Sequence, residues 1–177
     1  VKVIGAWEPL TDDENDRAWD EFDARFRFVP TGGEARPAIE DPDPSITFDL
    51  EPLRAAGAPG LFRASWDSVE ASARRAFLSA FGDDVALLVL DWNHNGYRLR
   101  PAEDVPPPIA PDGFPLLPSV LPDGDYYIHA TPDLKEGTFA HPWEPSLCVF
   151  GPQMVRMLGA ELRTWLPVLR ERGAQAA

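Results

Sequence analysis

The sequence predicts an α+β fold: a sheet of about five strands, antiparallel or mixed, with three main helices in the order α-β-α-β-β-β-β-α. Three observations carry this expectation. Apolar residues recur at helical spacing near 11–26, 65–81 and 152–166. Two short unbroken apolar runs, 85–90 and 147–150, read as central strands covered on both faces. Between 84 and 150 strand-like segments follow one another without an intervening helical pattern, which favours antiparallel neighbours over crossover connections.

The first helix begins with a capping box, Thr11 followed three residues later by Glu14. Asp12, Asp13 and Glu14 occupy its first turn, where the helix dipole favours negative charge. Trp19, Phe22 and Phe26 mark its buried stripe. Ile46, Phe48 and Leu50 alternate with Ser45, Thr47 and Asp49, a half-buried strand that Pro42 and Pro44 place at an edge. Val69, Ala73, Ala76, Phe77, Ala80 and Phe81 form one face of the second helix, and Gly82 stands where a C-terminal glycine belongs.

Asn93-His94-Asn95-Gly96 is a turn signal, so 84–92 and 96–100 form a hairpin with Arg98 and Arg100 on its wetter face. Eight prolines between 101 and 122 predict an irregular strap packed along the surface. Residues 125–130 read as a strand, 138–140 as a short one and 147–150 as another. Gly151-Pro152 opens the last helix, with Pro167 kinking or ending it and Arg170 and Arg172 near its terminal carbonyls. The core should hold Trp19, Phe22, Phe77, Leu87, Val89, Leu147, Val149 and Leu158.

The 177 residues suit one domain spanning 1–177. The formal charge of −13 argues against nucleic acid or an anionic membrane as partner and suits a basic protein. No apolar stretch is long enough for a bilayer, the first residues lack the apolar run of a secretory leader, and one cysteine excludes a disulfide framework. A cytoplasmic protein is expected. Only two lysines among the basic residues, with abundant Ala and Pro, point to a GC-rich genome.

Catalytic signatures are sparse. There is no phosphate-cradling glycine loop and no Gly-x-Ser-x-Gly elbow. Cys148, inside an apolar strand, reads as a small hydrophobe. His94, His129 and His141 form no paired ligand motif, so neither a metal nor a cofactor is expected.

The least ordinary chemistry lies between 122 and 148. Asp123, Asp125 and Tyr127 enter one strand; His141, Trp143 and Glu144 leave the next turn. The short excursion between the two strands should bring the strings 123–127 and 141–144 together. His141 with Glu144 then offers an acid/base pair, and Trp143 a flat binding face, or the same residues brace the loop. Secondary candidates are Asp91, His94 and Arg98, where a carboxylate at a strand end could orient an arginine or a histidine.

These strings have a family likeness. Asp91-Trp92-Asn93-His94 with Tyr97-Arg98, Pro122-Asp123-Gly124-Asp125-Tyr126-Tyr127, and His141-Pro142-Trp143-Glu144 with Leu147 to Gly151 come in the order of a bacterial family. The chain resembles the group known as domain of unknown function 2716, common in actinobacteria and bacilli. Ala140 replaces a usual glycine, and Leu99-Arg100-Pro101 a usual Phe-Asp-Pro. The resemblance implies an architecture and no activity.

Three functional classes follow. The first is an acidic cytoplasmic binding or protective protein of immunity type, with a basic partner. The second is an enzyme of unrecognised type using Asp125, His141 and Glu144. The third is an oligomer-forming domain, with its apolar patch on the last helix.

Overall fold

The computed structural model describes residues 5–54, 59–103 and 116–173. Among the described residues, eight strands form one sheet: β1 (Trp7–Pro9), β2 (Ser45–Asp49), β3 (Leu87–Asp91), β4 (Tyr97–Leu99), β5 (Tyr127–Ala130), β6 (Gly137–His141), β7 (Ser146–Phe150) and β8 (Val168–Arg172). Their spatial order is β1-β4-β3-β5-β6-β7-β2-β8. Every neighbouring pair is antiparallel. The α+β expectation stands, but about five strands were too few and no pair is parallel.

Helices cover both faces. Helix α1 (Asp12–Phe26) packs on one through Phe22 and Phe26, against Ile128, Phe139, Cys148 and Phe150. Helix α3 (Pro59–Phe81) packs on the other through Trp66, Val69, Ala73 and Phe77, against Leu87, Val89, Leu147 and Val149. A one-turn helix α2 (Glu51–Arg54) precedes α3. β3 and β7 both lie inside the sheet, as unbroken apolar runs require. The alternation across each strand explains why both their faces are apolar: Leu147 and Val149 point to one core, Cys148 and Phe150 to the other. The Cys148 thiol is pushed up to about 12 by burial, so it is an inert hydrophobe at neutral pH.

Local chemistry sets several element ends. The Thr11 hydroxyl accepts from the Glu14 amide at 3.4 Å, and the Glu14 carboxylate accepts from the Thr11 amide at 2.9 Å, completing the capping box. Gly82 takes φ 82° and donates to the Leu78 carbonyl, closing α3. The β3–β4 hairpin forms as expected, with Leu88 opposite Arg98.

Four expectations need correction. β2 is not an edge strand; it lies between β7 and β8. Pro42 and Pro44 precede the paired residues, so they remove no ladder donor from it. Trp19 is half-buried, set edge-on to Phe22 at the rim of the core, whereas the other seven expected core residues are buried. The last helix stops well before Pro167. It runs as α4 (Pro152–Met154), a π-helical stretch Val155–Gly159 and α5 (Ala160–Leu162). After Pro167 the chain enters β8, so Arg170 and Arg172 belong to a strand and not to a helix terminus. Arg172 donates to the Asp41 carbonyl at 2.8 Å.

The predicted strap falls partly at 104–115, outside the described residues. Its end, 116–122, is clamped to α3. One Glu70 carboxylate oxygen accepts from the Ser119 hydroxyl and from the Val120 amide at 2.7 Å. The Trp66 indole N–H donates to the Ser119 oxygen at 3.0 Å. Leu117, Val120 and Leu121 are buried, and Leu116 is exposed. Glu136, which the sequence did not single out, is buried beneath α4 and accepts the amides of Gln153 and Met154 at 3.0 and 2.9 Å. Gly151 runs at φ 89° beside that carboxylate, where a Cβ would collide with it.

Candidate functional site

One end of the sheet gathers the candidate residues. The register pairs Asp91 with Tyr127, Tyr127 with Ala140 and His141 with Ser146. The C-terminal ends of β3 and β6 therefore meet the N-terminal ends of β5 and β7. Tyr126 and Tyr127 enter opposite cores, and the candidates divide into three groups.

The first group centres on Tyr126, which the sequence reading passed over. Its ring is fully buried, 4.9 Å from His141, 5.0 Å from Trp143 and 5.6 Å from Trp92. The two strings do meet, but through this residue and not through Asp125 or Tyr127. The Tyr126 hydroxyl accepts from the Thr31 amide at 2.9 Å, tying in the loop after α1.

His141 is held by main chain. Its Nδ1 accepts from the amides of Trp143 and Glu144 at 3.2 and 3.0 Å, which leaves Nε2–H to donate to the Arg36 carbonyl at 2.9 Å. Burial lowers its pKa, so the neutral ring is the resting form. Glu144 turns away to a two-pronged pair with Arg170 of β8, at 2.6 and 2.8 Å, and accepts from the Ser146 hydroxyl at 2.9 Å. Burial opposes its ionisation, but Arg170 and Ser146 outweigh that and hold it below the usual range. The His141–Glu144 acid/base geometry is not formed: both ring nitrogens and both carboxylate oxygens have other partners. His141→Ala should lower the unfolding free energy by roughly 1–3 kcal/mol, the cost of orphaning buried main-chain groups, measured by urea titration.

The second group is Asp123 with Tyr127. The Tyr127 hydroxyl donates to Asp123 at 2.6 Å, and burial raises the pKa of both. Tyr127 faces the α3 side of the sheet.

The third group is Asp91, Asp125, Asn93 and His94. Both carboxylates are buried, at 5% and 6% exposure. The Asn93 amide lies 3.3 Å from Asp91 and 3.2 Å from Asp125, and its side-chain N–H donates to Asp125 at 2.8 Å. The Tyr126 amide donates to the other Asp125 oxygen at 2.8 Å. His94 Nδ1 stands 3.1 Å from Asp91. Burial raises the pKa of Asp91; His94 pulls it down and the nearby Asp125 charge pushes it up. Asp91 thus orients the histidine. Arg98 leaves this group for Glu14 of α1, at 2.7 Å. Among the described residues, Asp91, His94 and Asp125 are the set that could hold a metal ion, one donor atom from each lying within 4.8 Å of the others. Around Tyr126, at the same end of the sheet, Trp92, 38% exposed, and half-buried Trp143 form an edge-to-face pair with ring centroids 6.4 Å apart.

Fold and site together define a class: an antiparallel α+β sandwich of strongly acidic charge, with carboxylates and indoles at one sheet end. The chain belongs to the family described as "Protein of unknown function (DUF2716)", which matches residues 9–155. It is 29% identical over 158 residues to the uncharacterized protein YxiI of Bacillus subtilis (strain 168), covering 86% of this chain and 91% of that protein. No solved structure matches it. Among the described residues, no helix is long and apolar enough to cross a membrane.

Proposed function

We propose that this protein is a cytoplasmic binding module of protective, immunity type, which receives a basic protein at the acidic, indole-bearing end of its sheet. One observation carries the reading. Trp92 presents an exposed indole at the same end of the sheet as Asp91 and Asp125, two buried carboxylates that no lysine or arginine among the described residues neutralises. Carboxylates and an indole face are what an arginine or lysine side chain recognises. The charge of −13 adds long-range attraction for a basic partner.

The enzyme alternative on Asp125, His141 and Glu144 has less behind it. Those three side chains are bonded to Asn93, to main chain and to Arg170 respectively. The oligomer alternative has exposed Trp165, Val168 and Leu169 in its favour, but the same edge strand carries Arg170, Glu171 and Arg172, charges that discourage strand-to-strand pairing.

The test is co-expression with the adjacent reading frames of the source genome. One neighbour should encode a basic product that stops growth unless this chain accompanies it. Trp92→Ala should abolish that protection while the thermal midpoint of the purified variant stays within about 4 °C, as for a surface change. If no neighbouring product is toxic or binds, the protective reading fails.

A further inference from the structure

We propose that Asp91, His94 and Asp125 form a binding site for one divalent transition-metal ion of the manganese or zinc kind. This goes beyond the partner reading but shares Asp91 and Asp125 with it, so an ion seated there would compete with a basic side chain for the same carboxylates.

The site is assembled by chain geometry. Asp91 ends β3, and the tight turn that follows brings His94 back over it, with Nδ1 at 3.1 Å. Asp125 arrives from the neighbouring strand, two residues before the position paired with Asp91. The three donor atoms fall within 4.8 Å of one another. Metal bonds of about 2.0–2.2 Å set donors about 3–4 Å apart, so the trio needs to close by less than about 1 Å.

Two observations separate this cluster from an ordinary acidic patch. An imidazole nitrogen converges on it with the carboxylates. In addition, both carboxylates are more than nine-tenths buried, and neither has a lysine or arginine partner among the described residues. Two buried like charges this close are unfavourable until a proton or a cation comes between them. Their aim is already fixed from outside: Asn93 bonds both carboxylates, and the Tyr126 amide holds the second oxygen of Asp125. Such outer bonds are what orient metal ligands.

The donor set selects the ion. Calcium takes six to eight oxygens, and magnesium prefers oxygen with retained water. One imidazole and two carboxylates suit manganese or zinc. The His94 side chain is 73% exposed, so the remaining coordination positions face solvent, open to water or to a carboxylate or phosphate group brought by another molecule.

The test uses the full chain, stripped with chelator and titrated calorimetrically with manganese and zinc chloride. One ion per chain should bind, with a dissociation constant of about 0.1 mM or tighter. Manganese should broaden the amide signals of Asn93, His94 and Tyr126 before those of other residues. Asp125→Asn should weaken binding at least tenfold, in the range seen for perturbed metal sites. His94→Ala, at an exposed position that leaves folding intact, should weaken zinc more than manganese. Asp67→Asn, on the exposed face of α3, should change nothing. No saturable binding up to about 1 mM, binding undiminished in both Asp125→Asn and His94→Ala, or calcium bound more tightly than manganese would overturn the assignment. The growth assay reads Trp92→Ala and the calorimetry reads ion binding at Asp125 and His94, so failure of one reading is seen apart from failure of the other.

Discussion

Phe139→Ala is expected to destabilise the protein by roughly 3–5 kcal/mol, the range for removing a buried aromatic side chain. Phe139 is 2% exposed on an interior strand. Its ring stacks on Phe22 at 5.9 Å and on Tyr126 at 5.7 Å, and meets Phe28 and His141 edge-on at 6.0 and 6.2 Å. It therefore joins α1, the loop after it and the sheet end into one packed body. Truncation should also release Tyr126, so the loss should spread to the end of the sheet that bears Trp92 and Trp143. Denaturant midpoints measure the first effect, and near-ultraviolet dichroism from Trp92, Trp143 and Tyr126 the second. A midpoint close to wild type would mean that this aromatic cluster does not hold the layers together.

Acid should unfold the protein through His129. Burial pushes the pKa of this ring from 6.5 down to about 3, and its bond to the Pro118 carbonyl only partly counters that. The unfolded chain takes up a proton near 6.5, while the folded chain refuses it until about 3. Stability from this group is therefore complete above about 6.5 and lost as pH falls toward 3, by about 4–5 kcal/mol in all. His141, lowered by burial, adds in the same direction. Asp91 and Asp123, raised by burial, act in the opposite sense, so the histidine contribution is read from the difference between wild type and a His129 variant. The unfolding free energy of His129→Gln, which keeps a donor for Pro118, should fall less steeply below pH 6.5 than that of wild type. Parallel curves would show that His129 is not held neutral.

How much of this was legible depended on where each residue's partners lie in the chain. β3 and β7 announced themselves because an interior strand must be apolar on both faces, and the Thr11–Glu14 cap because both halves are local. β8 was illegible: Val-Leu-Arg-Glu-Arg lacks alternation, since an edge strand at the rim buries little, and three arginines and glutamates in a row resemble a helix end. The place of β2 depended on β8 and was misread with it. Tyr126 and Tyr127 looked equivalent; alternation says that they part, but not which one joins His141. The role of His141 rested on the Arg36 carbonyl, 105 residues away, and that of Glu144 on Arg170, 26 residues on. Asp91 and His94 stood in one group of candidates and Asp125 in another, because only the β3–β5 register unites them.

The strand order has a consequence for how the molecule is made. β2 leaves the ribosome well before both its neighbours, β7 and β8, which lie about 100 residues further along the chain. At about 5–20 residues per second, the roughly 100 residues between them keep β2 unpaired for several seconds. During that interval Ile46 and Phe48 have no sheet to enter, and the nascent chain must stay apart from its neighbours on the polysome. Closure of this side of the sheet therefore waits until β7 and β8 arrive to enclose a strand made long before them.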